Sequence, residues 1–229
     1  MLKILIIDDE KPTLAMFRLF LSAYGYQVDT AETGEIGLKI FREKKPDIVF
    51  TDLKMPGMDG LEVMNQIRQS SIPSQVIVIT GHGDMEKAIN ALDLDAADFI
   101  NKPVERQALD AALLRAERRM DYVASPRMDL KHEFHNHNLD MEIGGNINET
   151  SMEIFSAIMK LSEIRTINEV SIRFDTNFSI NRQGIASLIS FLQFLKTSGA
   201  HIRLKGLSYN FRIIFKMVGI HRAADFDLD

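Results

Sequence analysis

Four apolar runs in this chain each end in a polar residue able to do chemistry. Ile4-Leu5-Ile6-Ile7 runs into Asp8-Asp9, Ile48-Val49-Phe50 into Thr51-Asp52, Val76 to Ile79 into Thr80, and Phe99-Ile100 into Asn101-Lys102. Any one of them alone reads as a turn residue or a cap. Taken together they are more specific. Three carboxylates gathered at one place repel and raise one another's pKa unless a cation sits among them. Oxygen donors in a chain without cysteine point to magnesium, a hard cation that keeps several of its waters. A lysine and a threonine hydroxyl beside it suit a phosphoryl group, whose oxygens need positive charge and donors. An aspartate can then be the nucleophile that becomes an acyl phosphate.

These residues converge only if the runs are neighbouring strands. The run before Asp52 is too short for a helix and apolar throughout, as in a strand buried on both faces of a parallel sheet. Between the strands the 3.6-residue period takes over. It predicts helices from Pro12 through Leu14, Phe17, Leu19 and Leu21 to Gly25, over Thr33 to Lys45, on Leu61, Val63, Met64 and Ile67, over about Asp84 to Asp93, and from Val104 to about Tyr122. Gln27 to Ala31 supplies one more short strand, the alternation occurs five times, and a five-stranded parallel sheet with helices on both faces follows. Ligands bind such sheets beyond the carboxyl ends of the strands, where the four polar ends stand.

The whole chain has 229 residues, which suits two domains. Its net charge of −5 argues against nucleic acid as the main partner. The run Leu2 to Ile7 is too short for a signal-peptide core or a membrane span, so a cytoplasmic protein with no membrane association is expected.

Residues 1–122 resemble a response-regulator receiver domain. The matching elements are Asp8-Asp9, the D-x-x-M-P-G-M-D-G segment from Asp52 to Gly60, Thr80-Gly81, and Phe99 ahead of Lys102-Pro103. The resemblance implies that Asp52 is the phosphoacceptor, supplied by a sensor histidine kinase or a phosphotransfer protein. It implies that Asp8, Asp9, Asp52 and the backbone carbonyl of Lys54 hold magnesium, that Thr80 and Lys102 bind the phosphoryl group, and that Thr80 and Phe99 form the switch. It also implies a cis bond before Pro103. Asp95 departs from the pattern, since the family commonly has glycine there; aspartate tolerates left-handed backbone, so only a mild local change is expected. Lys54 and His82 flank the path of attacking water in receivers and are expected to tune the phosphoryl lifetime. Turnover beyond slow self-dephosphorylation is not expected.

Periodicity is lost from Met120 to Asp129, and Ser125-Pro126 stops any helix, so residues 123–129 read as a linker and 130–229 as a second, smaller domain. Leu130 to His137 reads as a solvated strand: its three histidines cannot share one face. Leu139 to Ile143 is a strand closed by Gly144-Gly145, and Thr150 to Glu153 is a capping box opening a helix. Val170, Ile172 and Phe174 alternate with polar residues in a strand. The loop from Asp175 to Arg182 leads to a helix over Gln183 to Thr197, the strand His201 to Lys205, and a helix capped by Ser208 and ended by Gly219.

That order, together with the G-N-I-N turn at Gly145, the loop around Gly184, S-G-A-H-I-R-L-K-G at Ser198 to Gly206 and M-V-G-I at Met217 to Ile220, resembles a STAS domain, the fold of anti-sigma-factor antagonists. The resemblance implies an α/β domain with a mixed sheet whose partner is an anti-sigma factor, a switch kinase or another protein, met at the loop of Asn181 and Arg182. Regulated members carry a serine in that loop as a kinase target; here Arg182 stands in its place, so control is expected to rest with Asp52. On the following helix, Ile185, Leu188, Ile189, Leu192 and Leu195 form the core stripe. Phe191 falls at its edge and Phe194 opposite, which marks both for partner binding and leaves a homodimer open. The alternative is a DNA-binding transcriptional output, against which the strand at His201 to Lys205 separates the two helices a helix-turn-helix needs adjacent.

Overall fold

The computed structural model describes residues 1–81, 85–120, 127–163 and 167–227. The chain forms two compact units, Met1–Asp121 and Tyr122–Asp229.

In the first unit, strands β1 (Lys3–Ile7), β2 (Gln27–Ala31), β3 (Ile48–Asp52), β4 (Gln75–Thr80) and β5 (Asp98–Asn101) alternate with helices α1 (Lys11–Ala23), α2 (Gly34–Lys44), α3 (Gly60–Arg68), α4 (Met85–Asp93) and α5 (Arg106–Met120). The sheet order is β2-β1-β3-β4-β5, and every pairing is parallel. All five residues of β3 are buried, because a central parallel strand is covered on both faces. β2, at the sheet edge, is only half-buried.

The β3–α3 connection carries most of the local sequence logic. Asp59 caps α3 by accepting from the backbone N–H groups of Leu61 and Glu62, both at 3.0 Å, while Glu62 reaches back to the Asp59 amide at 3.1 Å. This reciprocal box satisfies donors that the first helical turn leaves open. Gly60 follows because the chain doubles back: a Cβ there would lie 2.1 Å from the Asp52 carbonyl oxygen. Lys87 of α4 donates to Asp59 at 3.1 Å and to the Leu53 carbonyl at 3.4 Å, tying α4 to the same loop.

The second unit contains β6 (Met128–His135), β7 (Asn138–Ile147), α6 (Ser151–Glu163), β8 (Glu169–Phe174), β9 (Ser179–Ile180), α7 (Arg182–Thr197), β10 (His201–Lys205), α8 (Tyr209–Met217), a 3-10 turn (Ile220–Arg222) and β11 (Asp225–Phe226). The sheet order is β11-β10-β8-β7-β6, with β9 added to the end of β7. Among the described strands only β6 and β7 pair antiparallel, so the sheet is mixed. Along β7, β8 and β10 buried and exposed residues alternate. One face holds the core, including the Phe174, Phe178, Phe211 and Phe215 cluster, and the other meets water.

Several boundaries differ from those the sequence suggests. β6 begins at Met128, inside the expected linker, and ends at His135, so His137 lies in the turn and not in the strand. Asn136, at φ 56°, supplies the left-handed residue a two-residue hairpin turn needs. β7 runs through Gly144-Gly145 to Ile147 instead of stopping at Ile143. Gly145 marks a close approach there: it has φ 66°, and a Cβ would meet the Arg127 carbonyl at 2.2 Å. At the start of α6 the bonds run among Asn148, Thr150 and Ser151. β9 and β11, two residues each, carry too little pattern to be seen in sequence.

Gly60→Ala should destabilise the first unit by about 1–3 kcal/mol, as overpacking against unyielding backbone does. In urea titrations its transition should move to lower denaturant while the second unit's stays in place. An unshifted first transition would contradict the packing described.

Candidate functional site

Asp8, Asp52, Thr80 and Lys102 stand at, or one residue past, the carboxyl ends of β1, β3, β4 and β5, and the parallel register brings them together. Asp52 is 4% exposed. Its Oδ1 accepts from the Lys54 backbone N–H at 3.0 Å, and its Oδ2 accepts from the Lys102 ammonium at 2.6 Å. Lys102 also lies 3.1 Å from Asp8 Oδ2 and 3.3 Å from Glu10 Oε2. The Lys102–Pro103 bond is cis.

Asp8 is fully buried. Its Oδ1 accepts from the Glu10 amide at 2.8 Å. Its Oδ2 has Lys102 within ion-pair distance but makes no hydrogen bond; the directed bonds of the ammonium go to Asp52 and Glu10. Burial pushes the Asp8 carboxyl above its ordinary value; the Glu10 amide and Lys102 offset this in part, and Asp52 adds to it. Burial opposes the charge on Lys102, yet the hydrogen bond and attraction from Asp52, and then Asp8, outweigh it and hold the ammonium above its usual range. The Glu10 carboxyl is lowered by its bond from Thr13 and by Lys102. Asp9 is exposed, and ligand oxygens of Asp8, Asp9 and Asp52 lie within 4.8 Å of one another.

Thr80 is buried, and its hydroxyl donates to Asn101 Oδ1 at 2.9 Å. Phe99 is buried at 1% exposure on β5, where it pairs with Val78, two residues along from the Thr80–Asn101 pair. Lys54 is exposed. His82 lies outside the described residues. Two members of the cluster escape sequence reasoning: Glu10, which follows the aspartate pair directly, and Asn101, which precedes Lys102. Charge and donor type were visible for both, but nothing in the sequence aims them at Lys102 and Thr80.

Residues 4–114 match the response regulator receiver domain family. The N-terminal unit is a receiver domain. The chain is 38% identical to a receiver domain protein of Clostridium thermocellum whose crystal structure it matches with a TM-score of 0.50, covering 52% of this chain and 96% of that one. It is 31% identical over 131 residues to the alkaline phosphatase synthesis transcriptional regulatory protein PhoP of Bacillus subtilis, covering 57% of this chain and 54% of that protein. It is 36% identical over 117 residues to the transcriptional regulatory protein AfsQ1 of Streptomyces coelicolor, covering 51% of each. The match thus spans about half the length of these two curated relatives. No described helix is long and apolar enough to cross a membrane.

Away from the cluster, Asp95 takes the left-handed conformation expected of it, with φ 57°. Its carboxylate meets Arg119 at 2.7 Å, a contact glycine cannot make. In the second unit Asn181 caps α7 by accepting from the Gly184 amide at 2.8 Å, and Arg182 beside it is exposed. Phe191 does not lie at the surface. It is fully buried and stacked on Phe155 of α6, ring centroids 4.6 Å apart. α7 packs against both the sheet and α6, which widens its apolar stripe beyond the single face assumed from sequence. Phe194 is half-buried.

Because burial raises the Asp8 carboxyl, its share of folding stability is present below the ordinary carboxylate range and is lost as pH rises through the folded value. In chelator-treated protein, Asp8→Asn should raise the receiver's melting temperature by a few degrees near neutral pH. The gain should shrink toward zero in acid. Thermal scans at both pH values check this; a gain that grows in acid would contradict the assignment.

Proposed function

We propose that this protein is a two-domain phospho-switch in which Asp52 is the phosphoacceptor and the second unit is a STAS-like output that engages a protein partner. The observation that carries the reading is the Asp52–Lys102–Asp8 constellation at the sheet's carboxyl edge, in a unit of receiver fold. A carboxylate oxygen of Asp52 would attack the phosphorus of a phosphohistidine on a sensor kinase or phosphotransfer protein. A P–O bond forms, the P–N bond breaks, and the imidazole leaves with its electron pair. Water later cleaves the acyl phosphate, returning Asp52 and releasing phosphate; this slow loss is the only turnover proposed.

The carboxylates of Asp8, Asp9 and Asp52 fit a magnesium ion. They offer oxygen donors only, and the buried Asp8 Oδ2 lacks a hydrogen bond. The Lys54 carbonyl lies in the loop that Asp52 Oδ1 tethers. When bound, the ion supplies positive charge against which incoming phosphoryl oxygens are neutralised. Lys102, already 2.6 Å from Asp52, would exchange that contact for a phosphoryl oxygen. Thr80 would turn its hydroxyl from Asn101 toward the same group, and Phe99 on the neighbouring strand would follow the space released. Orienting donors at the acceptor in this way is most of what phosphoryl transfer asks of a protein.

The STAS-like reading is supported by the antiparallel β6–β7 pair leading into a parallel sheet, and by the capped start of α7 beside Arg182. Arg182 cannot accept a phosphoryl group as a loop serine does, so regulation would rest on Asp52. Two curated relatives are named transcriptional regulatory proteins, which raises a second reading, a DNA-binding transcriptional output. Against it, β10 separates α7 from α8, and the two helices do not form a helix-turn-helix.

With acetyl phosphate and magnesium, the wild-type protein should acquire one hydroxylamine-labile phosphoryl group, and Asp52→Asn should lose at least ~90% of the label. Lys102→Ala should keep the fold yet uncouple phosphorylation from partner binding, because it removes the charge-assisted bond to the phosphoryl group. Wild-type labelling in Asp52→Asn would refute the acceptor assignment.

A further inference from the structure

Between Asp175 and Asp225 the sequence contains no acidic residue, yet it holds seven lysines and arginines, in a protein whose net charge is −5. The fold divides these bases. Arg203 and Lys205 lie on β10, where they meet Glu169 at 3.6 Å and Asp227 at 3.9 Å. Lys196 and Arg222 lie elsewhere, at a cleft of about 380 Å³ between the last turns of α7 and the 3-10 turn. Ile189, Leu192, Val218 and Ile220 line this cleft, Lys196 and Arg222 stand with them, and no carboxylate is among the lining residues.

The cleft is built in advance of any ligand. Gly219, at φ 88°, turns the chain sharply out of α8 into the 3-10 turn. The Lys196 ammonium donates to the Arg222 carbonyl and fastens that turn to α7. Leu192 and Ile220 are buried, whereas Ile189 and Val218 are half-exposed. The result is an apolar depression with two cations and, among the described residues, no acid in its lining. A preformed site saves a ligand the cost of ordering it.

We propose that this cleft docks an acidic amphipathic segment of a partner protein. One or two aliphatic side chains of the segment fill the depression, and its carboxylates meet Lys196 and Arg222. Helix-in-groove recognition uses this division of labour, and charge-assisted bonds to carboxylates fix the register. Nucleic acid fits less well. The lining offers no aromatic platform for a base, and the cations of β10 already face Glu169 and Asp227. The site lies at the opposite end of α7 from Arg182, and it does not depend on reading the domain as STAS-like.

The test uses the full-length protein and three fluorescent probes: a synthetic amphipathic helix with leucine on one face and glutamate on the other, the same peptide with glutamine for every glutamate, and a duplex DNA. The expected result is saturable anisotropy with the glutamate peptide, at least about tenfold weaker binding of the glutamine peptide, and chemical-shift changes at Ile189 and Ile220. Arg222→Glu and, separately, Lys196→Met should each weaken the glutamate peptide by about fivefold, the upper end of what an exposed ion pair contributes. Circular dichroism should show both variants folded, and Lys196→Met retains most of the aliphatic stem. Equal binding of the two peptides, no loss in either variant, shift changes confined to other surfaces, or tighter binding of DNA than of the glutamate peptide would each overturn the proposal.

Discussion

The ammonium of Lys102 is the contact on which the rest of the receiver site depends. It lies within 3.3 Å of carboxylates on Asp52, Asp8 and Glu10, groups that would otherwise repel at close range with two of them buried. A lysine at the end of an edge strand can occupy that place only if β5 pairs with β4 in the register that sets Thr80 against Asn101. The sheet therefore fixes the electrostatics. The compensation is incomplete: Asp8 stays above its ordinary pKa because burial outweighs its partners. The protein thus holds a pocket of negative charge balanced mainly by one cation, Lys102. A divalent cation is chemically suited to enter such a place, and a phosphoryl group on Asp52, as proposed above, would need that cation and would take over the Lys102 contact now made to Asp52.

The same geometry suggests how a change at Asp52 would spread. Thr80 spends its hydroxyl on Asn101, so drawing Thr80 toward Asp52 would break a side-chain bond between β4 and β5, the strand that carries the buried Phe99. Lys87 joins α4 to the loop directly after Asp52 through Leu53 and Asp59. These contacts form a connected set from Asp52 to α4.

The receiver was legible because its chemistry sits at strand ends, where the apolar run, the polar stop and the following turn all signal the same thing. Asp8, Asp52, Thr80 and Lys102 emerged from that pattern, and the register then placed them. Asn101 and Glu10 did not emerge, since a side chain's aim depends on pairing that one strand does not reveal. In the second unit, Gly144-Gly145 read as a stop because glycine usually weakens strands. There the close approach of Arg127 makes glycine a requirement of the pairing. Phe191 read as surface because an amphipathic stripe assumes one buried face, and α7 has two. The short strands β9 and β11 borrow their conformation from long neighbours and have no signal of their own.

Hydrogen exchange on the full-length protein, with and without beryllofluoride and magnesium, tests the central claim most directly, because the reagent would mimic an acyl phosphate on the proposed acceptor, Asp52. The account predicts changed protection in β4, α4 and β5 together with a change in the second unit, both absent in Asp52→Asn. Changes confined to the receiver, or persisting in Asp52→Asn, would contradict it.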